Sequence, residues 1–270
     1  MSSPMSEEFK IVAVTAAKQA GHLLISNFGN LQPAQIETKT KFDFVTWIDK
    51  ESESRIIDII QHSFPEHTIY AEETRRDEHG EYRWIIDPLD GTTNYIHDVP
   101  VFSVSIALEH KRNILLGVVY DPNRQELFYA ERGKGAFLND HPIHVSSISH
   151  MDKALLATGY PFRVKHLIDE YQQSFKQLFL KSSGIRRAGS AAIDLCYIAC
   201  GRYDGFWELD LKPWDLAAAF VILQEAGGTM TDFSGGNAVL STGNTIASNG
   251  HLHSVLLNAV RDVFKGIVEQ

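Results

Sequence analysis

The sequence predicts a mixed α/β (α+β) fold, in which a helix-covered antiparallel sheet is followed by an α/β half. Three observations predict it. Two stretches of helical periodicity open the chain, short apolar runs joined by tight turns follow from residue 68 to about 145, and strands alternate with helices from residue 155 onward. With 270 residues, 44% hydrophobic and 22% charged, the chain has ordinary globular composition. At that length it can bury roughly 70–75% of its unfolded surface without staples.

The elements follow in order. Phe9, Val12, Ala16, Ala20, Leu23 and Leu24 recur at helical spacing, and Gly29 follows as a stop. A second helix is expected from about Thr46 to Phe64, with Ile48, Ile56, Ile59 and Ile60 apolar and Pro65 ending it. Thr68–Ala71 and Trp84–Ile86 read as strands. Val101–Glu109, Leu115–Tyr120 and Glu126–Ala130 read as a meander, turned at Asp121-Pro-Asn-Arg and continued by Ala136–Leu138 and Ile143–Val145. Short turns between consecutive strands favour antiparallel pairing. Leu155–Thr158 is then a strand, Leu167–Phe179 and Ala191–Ala199 are helices, and Tyr203–Leu209 is a strand. Pro213–Ala226 is a helix with Pro at its start and Gly227-Gly228 beyond its end. His251–Phe264 is the last helix. The expected division is 1–148, carrying most of the acidic site residues, and 149–270, carrying Asp215.

Lys and Arg number 25 against 34 Asp and Glu, a net charge of −9. Such a surface repels a phosphate backbone, so no direct nucleic-acid contact is expected, and an anionic substrate needs a local source of positive charge. Cys196 and Cys200 lie four apart, which fits neither C-x-x-C nor a disulfide framework; they read as core. The start, Met-Ser-Ser-Pro-Met-Ser-Glu-Glu, has no basic or apolar leader, and no apolar run approaches the ~18 residues of a membrane span. The expectation is a cytoplasmic protein.

The chemistry concentrates in Trp84-Ile-Ile-Asp-Pro-Leu-Asp-Gly-Thr-Thr-Asn94. Asp87 ends a strand, Pro88 breaks it, and Asp90 follows; two carboxylates held in this way can bridge hard cations such as Mg²⁺, which take oxygen ligands and substrate phosphates. Asp90-Gly-Thr-Thr reads as a helix start, where Gly91 lets the backbone approach and exposed N–H groups can hold a phosphate. Each neighbouring acid also has a local reading. Glu72 and Glu73 can be an acidic turn, Asp215 a first-turn residue for the helix dipole, and Thr46-x-x-Asp49 a capping box.

Trp84–Asn94 together with Trp214-Asp215-Leu-Ala-Ala-Ala and Glu225-Ala-Gly-Gly228 resembles the two signatures of the inositol monophosphatase family, in its bacterial branch. The resemblance runs from Lys39 to about Asn249 and takes in Asp43-Phe-Val-Thr-Trp-Ile-Asp49, Ala71-Glu-Glu-Thr74, Gly189-Ser-Ala-Ala192 and Phe206-Trp-Glu208. It implies a layered αβαβα sandwich of the metal-dependent sugar/inositol phosphatase type. It also implies an inositol-1-monophosphatase using two to three Mg²⁺ per active site, lithium-sensitive and homodimeric. The first ion would be held by Glu72, Asp87 and the Leu89 carbonyl, the second by Asp87, Asp90 and Asp215, and a third near Glu72. Thr92, paired with Asp49 and assisted by Glu72, would orient and deprotonate the attacking water. The N–H groups of Gly91 and Thr92 would hold the phosphate. Asp90, Gly189, Ser190, Ala191, Glu208 and Asp215 would contact the ring, and Lys39 would sit on a loop near the metals.

The residues agree with this reading in charge. Glu72, Asp87, Asp90 and Asp215 bring four negative charges together and a phosphate monoester adds about two more, so divalent cations are needed. Ala71 stands where the family commonly has Gly, and Lys212 where its animal members tend to have His. Fructose-1,6-bisphosphatase, 3′-phosphoadenosine-5′-phosphate phosphatase and histidinol-phosphate phosphatase share the metal site. A bisphosphate needs a second cationic pocket, which Arg186-Arg187 would supply unless they are plain surface charge. Bacterial members are also implicated in transcription antitermination with RNA polymerase and Nus factors, which makes a regulatory binding protein the reading from a different class.

Overall fold

The computed structural model describes residues 4–40, 43–74 and 80–268. Helix α1 (Pro4–Asn27) leads to a two-stranded antiparallel ribbon, β1 (Ile36–Thr40) and β2 (Asp43–Thr46), and then to α2 (Trp47–Ser63). Strands β3 (Thr68–Ala71) and β4 (Tyr82–Asp90) and the short helix α3 (Thr92–Ile96) follow. A meander comes next: β5 (Ser103–His110), β6 (Asn113–Asp121), β7 (Glu126–Glu131), β8 (Ala136–Leu138) and β9 (His141–Ile143). The remainder is β10 (Leu155–Thr158), α4 (Ile168–Phe179), β11 (Gly184–Arg186), α5 (Ala191–Ala199), β12 (Gly205–Glu208), α6 (Pro213–Glu225), β13 (Thr229–Thr231), α7 (Val239–Thr242), β14 (Thr245–Ser248) and α8 (His253–Phe264).

Strands β3 to β9 form a seven-stranded sheet in chain order, and β11-β10-β12-β14-β13 form a five-stranded mixed sheet. The expectation of an antiparallel sheet fails at one edge, where β3 pairs parallel with β4. A ten-residue connection, 72–81, separates the two strands, and its length lets the chain re-enter in the same direction where a tight turn could not.

The side-chain sorting explains the layers. Trp84 and Ile86 of β4, Ile106 and Leu108 of β5, and Val118 of β6 pack with α1 and α2 on one face. Ile85, Ala107, Val119 and Phe128, at alternate positions, pack on the other face against α5 and α6. Phe206 and Ala247 of the five-stranded sheet join that same middle layer, while Trp207 and Ile246 turn outward to Tyr171 and Leu178 of α4 and Leu256 and Val260 of α8. The order is therefore α1/α2, sheet, α5/α6, sheet, α4/α8, the expected αβαβα sandwich. Strands covered on both faces read as continuous apolar runs, which is why the meander showed so little alternation in sequence.

Several short elements escaped the sequence reading. The ribbon β1/β2 and strands β11, β13 and β14 are three to five residues long, too short for a period to show. Cys196 is buried in the middle layer and Cys200 is half-buried beside it, as expected for core cysteines.

Candidate active site

Helix α2 sets the site's framework. Its buried stripe carries Asp49, Ser52 and Glu53 in line with Ile56 and Ile60. At the start of α2, Thr46 is the N-cap: its Oγ1 accepts from Ile48 N–H at 3.2 Å, while its own N–H and hydroxyl donate to Asp49 Oδ2 at 2.9 and 2.6 Å. The other carboxylate oxygen, Oδ1, faces away from the cap and accepts from the Thr92 hydroxyl at 2.9 Å. One turn on, Ser52 Oγ donates to the Pro88 carbonyl at 3.0 Å, and the Glu53 carboxylate accepts from the N–H groups of Glu73 and Thr74 at 2.8 and 2.9 Å. One helix face thus grips three segments: the turn carrying Glu72, the Pro88 bend, and the start of α3. One oxygen of Asp49 thus caps the helix, as the spacing implied, and the other reaches Thr92.

Strand β4 continues through Pro88 to Asp90, further than the sequence suggests, with a bulge. Asp87 lies opposite Ser105 and Asp90 opposite Ser103, so three steps on β4 match two on β5. In a regular strand, residues three apart point to opposite faces; the extra residue turns Asp87 and Asp90 to the same side. Asp87 Oδ1 accepts from Leu89 N–H at 2.9 Å, closing the bend. Gly91 has φ +100, and a Cβ there would stand 2.9 Å from the Val101 carbonyl, so glycine is required where the chain turns into α3. The opening N–H groups of a helix have no intrahelical acceptor, which leaves those at the head of α3 for a ligand.

The second half of the chain closes the cleft. Ser190 caps α5 and donates its hydroxyl to Asp90 Oδ2 at 2.6 Å, joined by Ala192 N–H at 2.9 Å. Asp215 sits in the first turn of α6 and accepts from Lys212 N–H at 2.7 Å, the dipole position expected of it. Arg163 Nη1 lies 3.5 Å from Asp215 Oδ2. Glu208 ends β12 with its carboxylate against Gly159, where a Cβ would fall 2.0 Å from it; only glycine leaves the carboxylate its place.

These pieces line one cleft of about 310 Å³. Glu72, Asp87, Leu89, Asp90, Gly91, Thr92, Gly189, Ser190, Ala191, Glu208 and Asp215 all face it; Asp49 lies behind Thr92. Lys39 falls on β1, and its side chain is outside the described residues. The cleft walls add Arg163, Arg187, Asp194, Thr158, Phe44 and Phe162, which the sequence reading did not assign, apart from Arg187 as a possible second cationic group. Arg186, its neighbour, is an exposed residue of β11. No local spacing announces these walls, but Asp49, Ser52 and Glu53 do leave a sign: polar residues at i, i+3 and i+4 on an otherwise apolar stripe.

Burial dominates the electrostatics. It pushes Asp49 up to about 6, against the hydrogen bonds from Thr46 and Thr92. Burial, then repulsion from Asp215, raises Asp90 to about 7 and Glu208 to about 8. Asp215 rises to about 6 by burial, tempered by Arg163, and Asp87 is raised well above the carboxylate range by burial and then by Glu72. Among the described residues six acidic side chains face the cleft with two arginines, so these acids, when ionised, outnumber the positive charge beside them. All its donors are hard oxygens, the kind Mg²⁺ accepts. Among the described residues no three His, Cys, Asp or Glu side chains stand close enough together to hold one ion as they are.

The sequence profile of the inositol monophosphatase family matches residues 5–265. The chain belongs to the inositol monophosphatase family. Within that family it is 44% identical over 253 residues to the Nus factor SuhB of Escherichia coli K12, covering 93% of this chain and 95% of that one. Among solved structures, the extragenic suppressor protein suhB of Bartonella henselae superposes with a TM-score of 0.89 at 40% identity, over 96% of this chain and all of that one. The inositol monophosphatase of Anabaena (Nostoc) sp. PCC 7120 superposes with a TM-score of 0.84, also at 40% identity, over 95% and 96%. Family membership carries a metal-dependent phosphatase fold to this chain. Among the described residues no helix is long and apolar enough to cross a membrane.

Proposed function

We propose that this inositol monophosphatase family member is a Mg²⁺-dependent phosphomonoesterase that hydrolyses myo-inositol 1-phosphate and related polyol monophosphates. The observation that carries this reading is the Thr92 hydroxyl, 2.9 Å from Asp49 Oδ1, on the wall of a cleft lined by Glu72, Asp87, Asp90 and Asp215. Glu72, Asp87, the Leu89 carbonyl, Asp90 and Asp215 would hold two to three Mg²⁺. When bound, these ions neutralise phosphoryl charge and lower the pKa of an attacking water. The N–H groups at Gly91 and Thr92 hold the phosphate oxygens at the head of α3. Thr92 orients the water, takes its proton, and passes its own hydroxyl proton to Asp49; Glu72 assists. The water oxygen bonds to phosphorus in line as the bond to the ester oxygen breaks. That oxygen leaves as the inositol hydroxyl, taking a proton from solvent water, and inorganic phosphate remains; Asp49 returns its proton to solvent. Glu208 accepts from ring hydroxyls, with Asp90, Gly189, Ser190, Ala191 and Asp215 around it and Lys39 near the metals.

The same reading takes the chain as a cytoplasmic homodimer inhibited by Li⁺, divided at 148/149 into a half with most metal ligands and a half with Asp215 and the ring contacts. The test is phosphate release with Mg²⁺ from inositol 1-phosphate, fructose 1,6-bisphosphate, histidinol phosphate and 3′-phosphoadenosine 5′-phosphate, side by side. The highest kcat/KM for the inositol ester is expected; a preference for the bisphosphate would move the assignment to another branch of the superfamily.

A second reading is favoured by one observation, the name Nus factor SuhB borne by relatives 44% identical to this chain. It makes the protein a partner of RNA polymerase and Nus factors. Co-purification with these partners, undiminished in Asp87→Asn, would support a binding role independent of turnover.

A further inference from the structure

The ring end of the cleft contains a group the proposed reaction does not use. Asp194 lies in α5, one turn after Ser190, and lines the cleft wall with Arg187, Glu208 and Gly159. It is 2% exposed, and among the described residues its Oδ1 has no hydrogen-bond partner. A buried carboxyl oxygen without a donor costs the fold about 1–3 kcal/mol, more if ionised, and such a group invites a functional explanation. Nothing in α5 needs it: the helix is capped by Ser190, and the neighbouring Asp90 carboxylate already receives Ser190 Oγ and Ala192 N–H. The charged groups felt by Asp194 are Glu208, Asp90 and Arg187, all facing the cleft, so its surroundings are those of the ligand site.

We propose that Asp194 is a specificity-determining residue of the cleft, whose carboxyl accepts a hydroxyl of the substrate's polyol ring alongside Glu208. This rests on the phosphatase reading above. In either protonation state the carboxyl keeps a carbonyl-type acceptor, so the contact needs only a hydroxyl donor from the ligand. A polyol supplies such donors at several ring positions; a small aryl phosphate supplies none. The cleft-lining carboxyl therefore gains a donor from a polyol ester and none from an aryl ester, which makes a preference among substrates.

The experiment compares Asp194→Ala and Asp194→Asn with the wild type on inositol 1-phosphate and p-nitrophenyl phosphate, with Mg²⁺. Asp194→Ala is expected to raise KM for the inositol ester about tenfold and to leave the aryl ester within about twofold. Asp194→Asn, which keeps a carbonyl oxygen, is expected to restore most of the affinity. The Tm of the ligand-free variants is expected to hold or rise, because an unsatisfied group has been removed. Equal losses on both esters, or a Tm fall of several degrees, overturn the proposal and make Asp194 structural. If the wild type turns over neither ester, the Kd of inositol 1-phosphate with Mg²⁺ gives the answer. Binding that weakens about tenfold in Asp194→Ala upholds the contact and refutes hydrolysis alone, whereas no binding refutes both.

Discussion

Asp49→Asn separates the helix cap from the chemistry within a single side chain. The Thr46 N–H and hydroxyl hold Asp49 Oδ2 at 2.9 and 2.6 Å, both as donors, so the amide places its oxygen there and keeps the capping box. Its Nδ2 then takes the place of Oδ1, 2.9 Å from the Thr92 hydroxyl. A donor now faces a donor. The Thr92 hydroxyl must turn to its other acceptor, the Leu89 carbonyl at 3.1 Å, while its lone pair is taken by the amide. It can then neither accept a proton from water nor pass one on. Loss of a general base of this kind costs about 10²–10⁴-fold in rate. The stability change should be small, because the caps survive and a carboxyl whose pKa burial has pushed up to about 6 is replaced by a neutral group. A change under about 1 kcal/mol corresponds to roughly 2–4 °C in a chain of this size. The assay is kcat for inositol 1-phosphate at saturating Mg²⁺, a Mg²⁺ titration, and Tm. A kcat within threefold of wild type would falsify the proton-transfer role and leave Asp49 as a cap alone. A tenfold rise in the Mg²⁺ requirement with kcat recovered at saturation would place Asp49 with the metal instead.

Three further outcomes are expected. Asp87→Asn should abolish most turnover and sharply raise the Mg²⁺ requirement, because Asp87 is the carboxylate assigned to both ions; near-normal Mg²⁺ dependence would remove it from the site. Gly159→Ala should push the Glu208 carboxylate from its seat, since the new Cβ would fall 2.0 Å from it, and raise KM for inositol 1-phosphate more than for p-nitrophenyl phosphate; equal effects would mean that Glu208 does not read the ring. The third outcome concerns pH. In the metal-free protein Asp49 and Asp215 titrate at about 6, Asp90 at about 7 and Glu208 at about 8, all above their ordinary range. Groups raised in the folded state stabilise it fully below their unfolded pKa near 4, and that stability is lost as pH rises through 6 to 8. Tm in EDTA should therefore fall between pH 5.5 and 8.5, and Mg²⁺ should raise Tm more at pH 8.5 than at 5.5; an equal rise at both would show that the acids are not the ligands.

Features that depend on neighbours within a turn or two were legible in the residues alone. Thr46 and Asp49 form the capping box that their spacing implied, and Pro213 opens α6 with Asp215 in its first turn. The Asp87-Pro-Leu-Asp90-Gly91 run closes its own bend, with Asp87 Oδ1 accepting from Leu89 N–H. Tertiary structure alone decided how these pieces meet. The bulge that turns Asp87 and Asp90 to one side exists only against Ser103 and Ser105 of β5. Ser190 reaches Asp90 from 100 residues away, and Arg163, Arg187, Asp194 and Glu208 join the cleft from the second half of the chain. The physical reason is the two-sided burial of both sheets. Caps and turns are satisfied by hydrogen bonds to adjacent backbone and leave a pattern in sequence. The middle layer forms because apolar faces from distant segments have nowhere else to go, and the polar residues drawn in with them show their purpose only once their partners stand opposite.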